Sequence, residues 1–138
     1  MTYETIILQK LFNHIELIEK VHEDKIKLYE TNLNKARQND KLFDLIEHIK
    51  SSYNIALVTT ANKKNTNQII KTFNKEEIFD LIITREDVKN SKPNPEGFNK
   101  AIQYFGLKPE DTIIFEDSEV GITAARQSGA TVFVVDKF

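Results

Sequence analysis

The sequence has 138 residues, enough for one domain with a buried core, and its 40% hydrophobic and 29% charged content is that of an ordinary globular protein. A formal charge of −2 implies no basic face for nucleic acid, and the absence of cysteine excludes a disulfide framework, a thiolate metal site and a cysteine nucleophile. The start, MTYETIILQK, lacks a basic segment followed by an apolar one, and no apolar run approaches a membrane span, so a soluble, cytoplasmic protein without membrane partners is expected.

Ile7, Leu11, Ile15 and Ile18, then Ile26, Tyr29 and Leu33, recur at helical spacing. Residues 1–39 therefore read as two helices with a wide polar face and a break near 22–24. His14, His22 and His48 lack metal-ligand spacing and read as surface or packing residues. Asp40 is the expected N-cap of a helix carrying Leu42, Phe43, Leu45, Ile46 and Ile49.

Ile55 to Val58 is a short apolar run ending in Thr59 and Thr60, a buried strand by its length and branching. A polar-faced helix follows over 62–73, with Ile69, Ile70 and Phe73 inward. FDLIIT (Phe79 to Thr84) is a second strand. Pro93 and Pro95 mark the loop that opens the next helix, where Phe98, Ala101, Ile102 and Phe105 face inward and Gly106 is the stop.

The stretch TIIFEDSEVGITAARQSGA (Thr112 to Ala130) is a strand, a pair of carboxylates and an immediate helix with Ser118 as N-cap and Gly129 as stop. TVFVV (Thr131 to Val135) closes as a buried strand. From residue 40 onward helices and short apolar strands alternate. That pattern predicts an α/β fold, a three-layer α/β/α arrangement around a mostly parallel sheet covered on both faces.

In such a sheet all strand carboxyl ends lie along one edge. Thr59 ends the first strand, Lys92 lies in the loop after the second, and Glu116 and Asp117 end the third. An ammonium screens anionic oxygens, a hydroxyl donates to them, and carboxylates hold a hard cation such as Mg2+ against them. Each residue alone has a plainer role: Thr59 as a helix cap, Lys92 as a solvated lysine, Glu116 and Asp117 as a capping pair. Converging on one rim, they form a phosphate-and-metal constellation. A receiver domain also uses acidic residues, a threonine and a lysine on a parallel sheet, but it needs its acidic pair early and its lysine late.

IALVTTANKKN, SKPNPEGF and IIFEDSEVGITAARQSGA resemble motifs II, III and IV of the haloacid dehalogenase (HAD) superfamily, most closely its phosphatase and β-phosphoglucomutase-like branch. The similarity covers roughly residues 40–138, a Rossmann-like HAD core, with 1–39 resembling the end of the family's helical cap. The resemblance implies that Thr59 binds a phosphoryl oxygen through its hydroxyl and Thr60 through its backbone N–H. It makes Lys92 the catalytic charge-neutralising lysine, Asp117 the principal Mg2+ ligand, and Glu116 a ligand or water-mediated partner. It also implies a small phosphorylated metabolite as substrate.

The family's nucleophile is the first aspartate of a DxDx[TV] signature on the middle strand of the sheet, and no DxD occurs in this sequence. Two accounts follow. The chain begins within the cap and is truncated, or TIILQKLF (Thr5 to Phe12) supplies the central strand with Gln9 and Leu11 where the aspartates belong. Either way the lone chain is expected not to turn over by the family mechanism. Its open sheet is expected to form a homodimer, to take a complementing chain, or to be filled by its own amino terminus. A non-catalytic pseudoenzyme or binding module on the same fold is the competing reading.

Overall fold

A computed structural model describes residues 23–25, 27, 28 and 31–135. The expectations for Ile7 to Ile18, for His14 and His22, and for Thr5 to Phe12 fall outside the described residues. The chain divides into two compact units between Arg37 and Gln38. In the first, residues 23–25, 27, 28, 31 and 32 are helical and a 3-10 turn spans Leu33–Lys35.

The second unit opens with α1 (Asp40–Ile49), and its N-cap is Asn39 rather than Asp40. Asn39 holds an extended conformation (φ −82°, ψ 91°) that lets its side-chain oxygen accept from Leu42 N at 3.1 Å, whereas Asp40 already lies inside the helix and suits its positive end. β1 (Ala56–Val58) and β2 (Leu81–Ile83) are each three residues long and pair in parallel, with Val58 opposite Ile83. Thr59 N donates to the Ile83 carbonyl and Leu81 N to the Ile55 carbonyl. The backbones of residues 55, 57 and 59 thus face β2, and those of Ala56 and Val58 face the other way. Between them, α2 (Lys63–Thr72) is capped by Asn62, which accepts from Asn65 N at 2.7 Å. After β2 the chain turns sharply, because Thr84 donates to Asp87 Oδ2 from both N and Oγ1 at 2.7 and 2.8 Å.

α3 (Glu96–Tyr104) buries Phe98, Ala101 and Ile102, while Phe105 is only half-buried at its end. Gly97 lets this helix press onto β1: a Cβ there would stand 2.8 Å from Val58 Cγ1. β3 (Ile113–Glu116) leads into α4 (Glu119–Gln127), N-capped by Ser118, and β4 (Thr131–Val134) pairs with β3 in parallel, Phe115 opposite Phe133. Here Thr131 N donates to the Thr112 carbonyl and Val135 N to that of Glu116, so Ile113 and Phe115 present their backbone groups away from β4.

The core cluster joins Phe98 of α3, Ile114 of β3, and Ala124 and Ala125 of α4, with Val58 of β1 and Val132 of β4 packed against it. The α/β class and parallel pairing agree with the sequence pattern. The expectation that the strands are buried on both faces does not hold for β3 and β4. Ile113 is 56%, Phe115 38% and Phe133 52% exposed. Side chains alternate across a strand, so Ile114 points to the helices while its neighbours point to the opposite side. Among the described residues, β1 pairs only with β2 and β3 only with β4, giving two two-stranded sheets over shared helices.

Candidate functional site

The carboxyl ends of β1 and β3 are joined by one side chain. Lys92 Nζ donates to the Val58 carbonyl at 3.1 Å and to Glu116 Oε2 at 2.6 Å, and it stands 4.8 Å from the centre of the Phe98 ring. The paired side chains are 12% and 9% exposed, so water screens them little.

Lys92 is aimed there by its loop. Glu96, at the start of α3, accepts from Lys89 N and Asn90 N, each at 2.9 Å, and from Asn90 Nδ2 at 3.1 Å. It also pairs with Lys100 Nζ at 3.1 Å. The two backbone donors, Lys89 N and then Asn90 N, outweigh the opposing desolvation and hold the Glu96 carboxyl at about 2. The ring closed in this way contains Lys92.

Glu116 is occupied on all sides. Its Oε1 accepts from Ser118 Oγ at 2.9 Å and from the N–H groups of Asp117 and Ser118 at 3.1 Å. Burial pushes its carboxyl up, but the bonds from Lys92 and Ser118 outweigh that and hold it at about 2. The folded-back carboxylate lies where a Cβ on Gly121 would stand, so only glycine fits that turn of α4 without displacement.

Thr59, Thr60 and Lys92 line one small cleft with Asn90, Ser91 and Asn94. The Thr59 hydroxyl accepts from Ala61 N at 3.1 Å, which leaves its own proton to donate. Ser91 Oγ, on the same wall, is buried and without a partner. The structure therefore brings together Thr59, Thr60, Lys92 and, through Lys92, Glu116. Asp117 is adjacent in chain but exposed. His48 Nδ1 lies 2.7 Å from the Asp44 carbonyl, within α1.

The donor set for a hard cation is incomplete. Among the described residues no group of three or more acidic or histidine side chains converges. Asp117 is the available carboxylate; Glu116 can reach a cation only by releasing Lys92. Two adjacent carboxylates do not make a Mg2+ site by themselves. Sequence reasoning missed Ser118 as a partner of Glu116, and Glu96 as the clamp on the lysine loop. The SKPNPE spacing carried the second signal, since it puts a carboxylate four residues past the lysine.

The model of the haloacid dehalogenase-like hydrolases matches this chain from residue 2 to residue 135. The chain belongs to that family. Within the HAD hydrolases it lies with the phosphatase and β-phosphoglucomutase-like members. It is 27% identical over 133 residues to the pyrophosphatase PpaX of Bacillus cereus, covering 96% of this chain and 55% of that one. It is 29% identical over 112 residues to a phosphorylated carbohydrates phosphatase of Thermotoga maritima, covering 80% and 50%. A solved structure from Thermotoga maritima, of a protein assigned as a β-phosphoglucomutase, superposes with a TM-score of 0.75 at 26% identity, covering 96% of this chain and 63% of that one. The chain thus spans about half the length of these HAD relatives. No helix among the described residues is long and apolar enough to cross a membrane.

Proposed function

We propose that this rim is the phosphoryl-binding part of a HAD phosphatase site acting on a small phosphorylated metabolite, and that the chain alone binds phosphate without hydrolysing its esters. The observation that carries the reading is Lys92: an ammonium sunk beside the Thr59–Thr60 cleft, held by Glu116 and steadied by the Glu96 ring. A phosphoryl oxygen entering the cleft meets that ammonium, the Thr59 hydroxyl and the Thr60 N–H, all donors fixed before it arrives. The relatives named as phosphatases support the substrate class.

Hydrolysis by the family's covalent route needs an aspartate aimed at phosphorus, and the 138 residues contain no DxD. Glu116 is engaged, and no step is assigned to Asp117. Asp117 and, beside it, Glu116 would be the carboxylates facing Mg2+, which would supply charge screening of phosphoryl oxygens when bound.

The test is calorimetric titration of the full chain with inorganic phosphate, beside an assay with p-nitrophenyl phosphate and Mg2+. Wild type is expected to bind phosphate and Lys92→Ala to bind it at least tenfold more weakly, with no turnover by either. Turnover by the wild type that disappears in both Lys92→Ala and Asp117→Asn overturns the claim of inactivity. Equal phosphate binding by wild type and Lys92→Ala overturns the site itself and favours a binding module that uses the rim for another ligand.

A further inference from the structure

Among the described residues, Ser91 Oγ and Gln38 Oε1 are the buried side-chain polar atoms with no hydrogen-bond partner, and Ser91 lines the Thr59–Lys92 cleft. The groups beside it in that wall are engaged. Asn90 Nδ2 donates to Glu96 Oε2 at 3.1 Å, and Asn94 Oδ1 accepts from Glu96 N at 3.0 Å. Thr59 Oγ1 accepts from Ala61 N at 3.1 Å. Lys92 directs two of its three protons to the Val58 carbonyl and to Glu116. A buried hydroxyl with no partner in the chain costs folding free energy unless a group from outside supplies one.

Ser91 is held where it stands. Its carbonyl accepts from Asn94 N at 3.0 Å, and the Glu96 carboxylate fixes the N–H groups of the two residues before it. The enclosed part of the cleft, about 10 Å³, has room for one oxygen-sized group. A ring or a carbon chain does not fit there, whereas a single oxygen atom of a larger group does.

We propose that Ser91 is a fourth phosphoryl-binding residue, its hydroxyl donating to one non-bridging oxygen of the phosphoryl group beside Lys92, Thr59 and Thr60. Such an oxygen is anionic and only accepts, so the Ser91 hydroxyl is the donor and the bond is charge-assisted. The donor is fixed before the anion arrives, like the others of the cleft. The proposal rests on the phosphoryl reading of the rim and adds to it the residue that receives the most deeply placed oxygen.

The test is calorimetric titration of the full chain with inorganic phosphate, for wild type, Ser91→Ala and Lys92→Ala, beside thermal unfolding of each with and without phosphate. Ser91→Ala is expected to bind phosphate about tenfold more weakly, the effect of one hydrogen bond to a charged group. Its unfolding temperature without phosphate should stay within about 2 °C of wild type, because no group of the chain loses a partner. The rise in unfolding temperature on adding phosphate should shrink with the affinity. A residue that only shaped the loop would lower the unfolding temperature of the free chain together with the affinity. That result, or a Ser91→Ala chain that does not fold, overturns the proposal. Phosphate affinity lost in Lys92→Ala but unchanged in Ser91→Ala sinks this donor alone and leaves the phosphoryl reading standing. Equal affinity in all three proteins, or no phosphate binding by wild type, sinks the phosphoryl reading and the donor together.

Discussion

Lys92 Nζ lies 2.6 Å from Glu116 Oε2, and this pair ties the loop before α3 to the start of α4. The two ends of the pair are not equivalent. Removing Lys92 leaves Glu116 with three further donors, from Asp117 N, Ser118 N and Ser118 Oγ. Removing the Glu116 side chain leaves the ammonium with a single carbonyl. Glu116→Ala is therefore expected to cost about 3 kcal/mol and Lys92→Met about 1 kcal/mol, the larger value being that of a buried charge left without its partner. Urea unfolding of both variants and the double mutant checks the order; a larger loss for Lys92→Met contradicts this account of the donors.

Acid should weaken the fold through the same carboxylates. Glu116 and Glu96 both titrate at about 2 in the folded chain against an ordinary value of 4.5. Depressed carboxyls stabilise fully above the unfolded value, and the contribution is lost as pH falls from about 4.5 toward about 2. The urea midpoint should thus be flat from pH 7 to about 5 and fall below that. Glu116→Gln should have a lower midpoint at pH 7 and a shallower acid slope. A slope unchanged from wild type would place the acid sensitivity in other groups.

The rim was legible because each group lies past the carboxyl end of a strand: Thr59 after β1, Lys92 in the loop after β2, Glu116 and Asp117 at the end of β3. Strand alternation with amphipathic helices implies that edge from the sequence alone. What escaped was everything set by side-chain direction. Glu116 and Asp117 looked interchangeable as adjacent carboxylates, yet one folds back onto Ser118 and Lys92 while the other faces solvent. Asp40 and Asn39 are equally good caps by residue type, and only backbone angles separated them. The burial of β3 and β4 was overread because an all-apolar run implies two covered faces only when both layers are present. Ile113 and Phe133 are apolar and exposed.

Gly121 offers a test in which two effects oppose each other. Alanine in a helix interior is favoured over glycine by about 1 kcal/mol, so Gly121→Ala would stabilise α4 if space were available. The Glu116 carboxylate occupies that space. The substitution must push Glu116 off Lys92 or shift the helix, and a net loss of about 2 kcal/mol is expected. Thermal unfolding measures it. The double variant Gly121→Ala with Glu116→Ala should recover the helix gain, so that Gly121→Ala becomes stabilising in that background; continued destabilisation there would remove Glu116 as the cause.

The two faces of β3 give the last prediction. Ile114 is buried against Phe98, Ala124 and Ala125, while Ile113, one residue earlier, is 56% exposed. Ile114→Ala opens a cavity in the cluster that holds α3, α4 and both strand pairs together, and should cost about 3 kcal/mol. Ile113→Ala removes a side chain that water already reaches, and should change stability by no more than about 0.5 kcal/mol. Urea midpoints of the two variants compare the faces directly. An Ile113→Ala midpoint as low as that of Ile114→Ala would show that this face is covered in the free chain.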